Sequence, residues 1–277
     1  MGPFVTRFAP SPTGRLHLGH AFSVLTAFAA ARAAGGRCLL RIEDIDAGRC
    51  RPAFEAGVYE DLAWLGLSWE RPVRRQSEHL ADYRAALERL RAAGLLYRCF
   101  RTRADILAEI GQAPHGDAPV FLGAPLDPAT ESQLLDEGAP FAWRLSLAAA
   151  RAALGGFEGL AFVDEERGRF RARPELAGDV VLSRKDGAVA YHLAVVVDDA
   201  AQQITCVVRG EDLLAACHVQ RLLQALLGLP TPRYRHHRLI ADADGKRLAK
   251  RTGAQTLAAL RAAGVTPTQI LQRLGFG

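Results

Sequence analysis

Apolar and polar positions alternate with turn signals in a way that predicts an α/β chain. Phe4 to Phe8 reads as a short strand, followed by a Pro- and Gly-rich loop, Ala9-Pro10-Ser11-Pro12-Thr13-Gly14. An Ala-rich helical run from Leu18 to Ala34 closes on Gly35-Gly36, a C-cap signal. Cys38 to Ile42 reads as the next strand, so the chain opens with the β-loop-α-β unit of a parallel sheet. Pro52 suits the first turn of a helix reaching about Leu65. Ser77 is placed to cap a helix through Ala93, with Leu80, Tyr83, Leu87 and Leu90 on one face and Gly94 at its end.

The pattern changes over 99–178. Helical pieces near Thr102–Ile110 and Pro128–Glu137 are separated by Gly- and Pro-rich stretches, and short strand-like runs follow at Phe141–Leu145, Leu160–Val163 and Phe170–Arg173. This predicts an inserted α+β subdomain that splits the parallel domain into 1–98 and 179–277. Regular patterning resumes at Asp179-Val180-Val181-Leu182. Ala190–Val197 fits helix or strand, Ile204–Val208 a strand, and Leu213–Leu227 a helix. Two short helices are expected around Pro267.

With 277 residues, 49 % hydrophobic and 23 % charged, the chain suffices for a packed core, and wholesale disorder is excluded. No apolar run reaches the ~18 to 20 residues of a membrane span. The first residues lack the basic and apolar regions of a secretory signal, so a cytoplasmic location is expected. Thirty-five Lys plus Arg against 30 Asp plus Glu leave +5, compatible with a polyanionic partner but not requiring one. Only three basic residues are Lys, and two of them, Lys246 and Lys250, fall in one turn-like segment, Asp244 to Arg251. The cysteines number five, with no C-x-x-C pair, which argues against a disulfide framework; Cys38 and Cys206 sit in apolar strand-like runs and are expected in the core.

Four segments offer chemistry. In Arg7 to His20, a strand runs through a loop into a helix start, where free backbone N–H groups and the positive dipole end suit phosphate. His17 and His20 share one face of that first turn, and Gly19 between them lets a flat ring approach the backbone. The same residues also read as two polar histidines at a helix start. Lys246, Arg247, Lys250 and Arg251 form a loop able to close over a triphosphate, or simply a basic exposed turn. Arg41-Ile42-Glu43-Asp44-Ile45-Asp46 follows a strand; its carboxylates can bind a cation, meet an amino group or cap a helix. Arg209, at the end of a later strand, can take a carboxylate bidentately.

In this order, F-A-P-S-P-T-G-x-L-H-x-G-H, R-I-E-D-I-D, Y-H-L-A-V-V-V-D-D, V-V-R-G-E-D-L-L and a K/R-rich loop, the segments resemble the catalytic core of the glutamyl-tRNA synthetases over nearly the whole chain. His17-Leu18-Gly19-His20 looks like the HIGH signature. Arg247-Leu248-Ala249-Lys250-Arg251 looks like a degenerate KMSKS signature that keeps Lys250. The resemblance implies a class I, Rossmann-like (HUP-type) α/β fold with an inserted acceptor-end subdomain. It implies ATP with Mg2+ as substrate, touching Pro10, Gly19, His20 and Lys250. His17, His20 and Lys250 would be catalytic. L-glutamate would be held by Arg7, Ala9, Ser11, Glu43, Tyr191 and Arg209.

Because the sequence leaves no room for an anticodon-binding domain after Lys250, it is similar to the short branch of that family. That branch activates glutamate without tRNA and transfers it to the queuosine base at the wobble position of tRNA(Asp). The alternatives are a truncated or discriminating synthetase that charges the tRNA 3′ end, and a noncatalytic tRNA- or nucleotide-binding relative. Family members often hold zinc through C-x-C, then Tyr and Cys. Here the matching positions are Cys99, Arg101, Phe121 and Pro125, and one thiol makes no tetrahedral site, so zinc is expected to be absent. His115 is expected on a surface loop. No membrane contact and a monomeric state are expected.

Overall fold

The computed structural model describes residues 2–111, 120–240 and 255–276. The elements run β1 (Val5–Phe8), α1 (Leu18–Ala33), β2 (Arg37–Ile42), α2 (Pro52–Trp64), β3 (Arg74–Arg75), α3 (Leu80–Ala92) and β4 (Leu96–Cys99). Next come α4 (Arg103–Gly111), α5 (Pro128–Asp136), β5 (Ala142–Leu145), α6 (Leu147–Leu154), β6 (Ala161–Asp164), β7 (Gly168–Arg171) and β8 (Val181–Ser183). The chain continues with α7 (Tyr191–Ala201), β9 (Cys206–Gly210), α8 (Ala216–Leu226), β10 (Arg233–His237), α9 (Leu257–Ala262) and α10 (Pro267–Leu274).

β1, β2 and β3 are hydrogen-bonded in that order and run parallel. β9 and β10 also pair in parallel, and β10 carries β6 on its other side, with β7 antiparallel beyond it. β9 lies against β1: the Thr205 N–H donates to the Val5 carbonyl at 2.9 Å, and the Val5 N–H donates to Thr205 Oγ1 at 2.8 Å. The first and second halves of the parallel layer therefore meet at the strand pair whose C-terminal ends carry Arg7 and Arg209. Crevices at strand C-termini are where α/β layers take ligands.

α1 covers that junction, packed on β1, β2 and β9. Ala21, Val24, Ala27, Ala30 and Ala31 are buried, and their small side chains let the helix sit close to the strands. The turn after it needs glycine twice. Gly35 has φ +59°, and a Cβ on Gly36 would fall on the Phe4 carbonyl oxygen. Cys38 and Cys206 are buried beside these alanines, and all five cysteines are free thiols.

β4, β5 and β8 form a separate antiparallel sheet. It joins residues before, within and after 99–178, and β6 from that segment is bonded to β10. One core accordingly includes Tyr83, Leu145, Phe162, Leu193, Val207 and Leu222, while a second gathers Leu25, Ile42, Leu62, Leu257 and Ile270 under α1.

Three local expectations change. Ser77 does not cap α3; its N–H and hydroxyl donate to Asp44 at 2.8 and 2.6 Å, and α3 begins after His79. The ambiguous run after Ala190 is helical, which turns both Asp198 and Asp199 inward. β10, Arg-Tyr-Arg-His-His, is a strand that its lack of aliphatic residues concealed. Among the described residues, no helix is long and apolar enough to cross a membrane.

Candidate active site

A cavity of about 590 Å³ opens where the loop after β1, the start of α1 and the ends of β2, β9 and β10 converge on the start of α7. Of the residues singled out in the sequence, Arg7, Ala9, Pro10, Ser11, His17, Gly19, His20, Glu43, Tyr191 and Arg209 all line it. Lys246, Arg247, Lys250, Arg251 and His115 lie outside the described residues.

The two signature histidines build the mouth of α1. His17 is the N-cap: its Nδ1 accepts from the Gly19 N–H at 3.1 Å, while His20 Nδ1 accepts from the His17 N–H at 3.1 Å. This is a capping box made of imidazoles, with ring centroids 3.9 Å apart. A ring nitrogen that accepts from an amide carries no proton, so each neutral ring keeps its hydrogen on Nε2. The helix start thereby places two imidazoles beside its own dipole, a suitable cradle for phosphate oxygens.

The carboxylates after β2 take three separate tasks. Glu43 is buried at the cavity wall, 3.1 Å from the Arg41 guanidinium. Asp44 accepts from Ser77, and Asp46 pairs with Arg49 at 2.7 Å. Among the described residues no three His, Cys, Asp or Glu side chains group as a metal site. Cys99 packs with Tyr97, Ile106 and Phe121, and Arg101 lies over the Phe121 ring, so these residues do not fit a zinc ion.

Behind the cavity lies a charge network that the sequence did not announce. Arg41 is fully buried and reaches Asp199 at 2.8 Å, Glu43 at 3.1 Å and Asp198 at 3.7 Å. Arg7 Nε donates to the same Asp199 oxygen at 2.9 Å. Asp198 also accepts from Arg74, Gln76 and Tyr83. Burial alone would raise the Asp199 carboxyl, but Arg7 and Arg41 hold it below the usual carboxylate range. Glu43 lies above its usual range because burial outweighs Arg41 and Arg7. Burial, and then the nearby Glu43, also raise the Tyr191 hydroxyl. In this network Arg7 and Arg41 pair with Asp199 and Glu43, and Arg74 pairs with Asp198 and, further out, Asp82.

Arg209 stands apart from that balance. It is 5 % exposed. Its Nε donates to His236 at 3.2 Å, and its Nη2 faces Leu213 O at 3.0 Å, Gln220 at 3.0 Å and Cys217 Sγ at 2.9 Å. Its Nη1 is buried without a hydrogen-bond partner. Among the described residues no carboxylate pairs with it. A buried cation with no counter-ion and one unsatisfied nitrogen is costly unless a ligand supplies the anion.

Sequence reasoning also missed the wall of the cavity beside α1. His237 lies on Phe22 and contacts Ser23 Oγ at 3.1 Å, and Arg238 covers the other part of Phe22. All four line the cavity. Phe22 and Ser23 lie on the predicted α1, but β10, which ends at His237, was not recognised, so no signal brought His237 and Arg238 to them.

Two histidines, His236 buried and His192 partly buried, make stability pH-dependent. Burial, and then Arg209, push His192 down to about 4. Burial pushes His236 down to about 4 despite its bond to Asp164. Both stay neutral in the fold and protonate on unfolding near pH 6.5, so their contribution is complete above pH 6.5 and is lost as pH falls to about 4. Urea midpoints measured between pH 7 and 4 should fall through this window, with a shallower slope, by about one proton, in His192→Leu. An unchanged slope in that variant would contradict the assignment.

Residues 3–276 match the family described as tRNA synthetases class I (E and Q), catalytic domain, and the chain belongs to that family of ligases. Glutamyl-Q tRNA(Asp) synthetase of Rhodobacter capsulatus is 49 % identical over 98 % of this chain and 100 % of its own length. Glutamyl-Q tRNA(Asp) synthetase of Nocardia farcinica is 46 % identical over 97 % of this chain and 82 % of its own. The crystal structure of glutamate-tRNA synthetase from Elizabethkingia anophelis superposes with a TM-score of 0.77 at 30 % identity, covering 91 % of this chain. The chain spans about half, 53 %, of that structure. The fold is that of a class I synthetase.

Proposed function

We propose that the chain activates L-glutamate with ATP and transfers the glutamyl group to the queuosine base at the wobble position of tRNA(Asp). The observation that carries the first half is the buried Arg209 cation, which pairs with no carboxylate among the described residues, whereas Arg7 and Arg41 are already paired with Asp199 and Glu43. Glutamate, a zwitterion with one extra carboxylate, supplies the missing charge. Its α-ammonium finds Glu43, and its side-chain carboxylate finds Arg209 beside Tyr191. The near full-length likeness to two proteins named glutamyl-Q tRNA(Asp) synthetase supports the second half.

In the first step a glutamate α-carboxylate oxygen attacks the α-phosphorus of Mg·ATP, and the bond to pyrophosphate breaks. The Nε2–H groups of His17 and His20, with Lys250, stabilise charge on the phosphate oxygens, while Pro10 and Gly19 shape the nucleotide floor. No side chain becomes covalently attached. In the second step a hydroxyl of the modified base attacks the acyl carbon, and AMP leaves. Zinc takes no part, and the segment 99–178 is the subdomain that meets RNA.

The test is glutamate-dependent ATP–pyrophosphate exchange without tRNA, followed by glutamylation of tRNA(Asp) with and without queuosine. Exchange in the absence of tRNA and transfer only to the modified tRNA are expected. Transfer indifferent to queuosine would instead favour charging of the 3′ end, as in the glutamate-tRNA synthetase whose fold it shares. Folded protein without exchange would remove the enzymatic reading.

A further inference from the structure

Arg209 is held along one edge. The Nε and Nη2 side of its planar guanidinium meets His236, Leu213 O, Cys217 and Gln220. That leaves Nη1 as the corner available to a ligand. Of these partners only His236 is itself fixed by a charge. Its Nδ1 lies 2.7 Å from Asp164 Oδ2, and its backbone N–H also donates to that oxygen at 3.2 Å. Both side chains are completely buried.

The hydrogen-bond directions follow from this. An ionised carboxylate only accepts, so His236 Nδ1 carries the proton; the neutral ring then has a bare Nε2, which accepts the Arg209 Nε–H. The alternative tautomer would set two N–H groups against each other at 3.2 Å. Asp164 is ionised: although burial opposes it, its bonds to His236 and to the amides of Glu166 and Arg167 hold it below the usual carboxylate range. The Asp164 charge thus fixes a proton position two residues away from the ligand.

We infer that Asp164 and His236 are positioning residues for the amino-acid site, orienting the Arg209 guanidinium so that Nη1 meets the carboxylate of the substrate. The inference rests on the reading of Arg209 as the receptor for glutamate. Asp164 ends β6, which joins the parallel layer by pairing with β10. The segment 99–178 thereby contributes to amino-acid selection, although among the cavity-lining residues none comes from it.

The experiment is steady-state exchange with the full chain, varying glutamate and ATP separately, for Asp164→Asn, His236→Leu and His236→Gln. Asp164→Asn and His236→Leu should raise the KM for glutamate by about tenfold or more, the scale of losing one charge-assisted hydrogen bond. Their kcat at saturating glutamate and KM for ATP should stay within about threefold. In His236→Gln an amide oxygen can accept from Arg209 Nε, and the glutamate KM should return to within about threefold of the parent chain. If Asp164→Asn does not fold, the Leu–Gln pair at position 236 makes the same comparison. An unchanged glutamate KM in His236→Leu, or a Gln variant as impaired as Leu, would overturn the inference. A parent chain without exchange would instead overturn the proposed function.

Discussion

Arg209→Met will raise the glutamate concentration needed for half-maximal ATP–pyrophosphate exchange by about 10² to 10³-fold. The residue is a buried cation whose other partners are all neutral: His236, a carbonyl, a thiol and an amide. In the proposed binding mode, glutamate turns this charge into a buried ion pair. Truncating one member of such a pair typically removes about 2–5 kcal/mol or more of binding, roughly 30- to 4,000-fold, which brackets this range. Met keeps an unbranched apolar side chain at the site, so the loss falls on the charge, its hydrogen bonds and the cation–π contact of the guanidinium with the Tyr234 ring at 5.4 Å. The KM for ATP should be unaltered, because the histidine cradle at α1 is untouched. A glutamate requirement equal to that of the parent chain would remove Arg209 from the amino-acid site.

Asp199→Ala is the change with the largest expected effect on stability. One carboxylate oxygen accepts from both Arg7 Nε and Arg41 Nη1. Arg41 has no solvent exposure and cannot relocate its charge to water. Removing Asp199 leaves two guanidinium groups facing Glu43 and Asp198 alone. Breaking a buried pair in this way costs about 3–5 kcal/mol. Urea unfolding should show that loss, with a smaller one for Asp199→Asn, which keeps an acceptor. A midpoint change equivalent to less than about 1 kcal/mol would show that the network relaxes around the gap. The variant should also weaken glutamate binding, since Arg7 and Glu43 are both oriented through this carboxylate.

The parts of this site that lie on locally coded elements were legible in the sequence. The loop after β1, the α1 start with its two histidines, and Glu43 at the end of β2 each follow a strong strand or helix signal. Arg209 was legible for the same reason. What escaped is defined by partners distant in the chain. Asp198 and Asp199 look like a solvated acidic pair until a helix places them opposite Arg41 and Arg7. β10 has only Tyr234 as an apolar marker, because its inward side chains belong to a polar network rather than to an aliphatic core. Ser77 had the right identity for a helix cap, but the buried Asp44 carboxylate competes for its hydroxyl and its amide.

The meeting of β1 with β9 sets the order in which the molecule can assemble during its synthesis. Val5 and Thr205 exchange hydrogen bonds across a separation of 200 residues. At about 5–20 residues per second, roughly 10–40 s pass between the emergence of the two strands from a ribosome. Through that interval β1 has β2 on one side only, and its other edge is an unsatisfied row of amides and carbonyls beside the exposed apolar face of α1. Such an edge is a template for wrong pairing. Slower translation lengthens this exposure of the nascent chain, and the Arg7 and Arg209 sides of the cavity come together only when β9 docks.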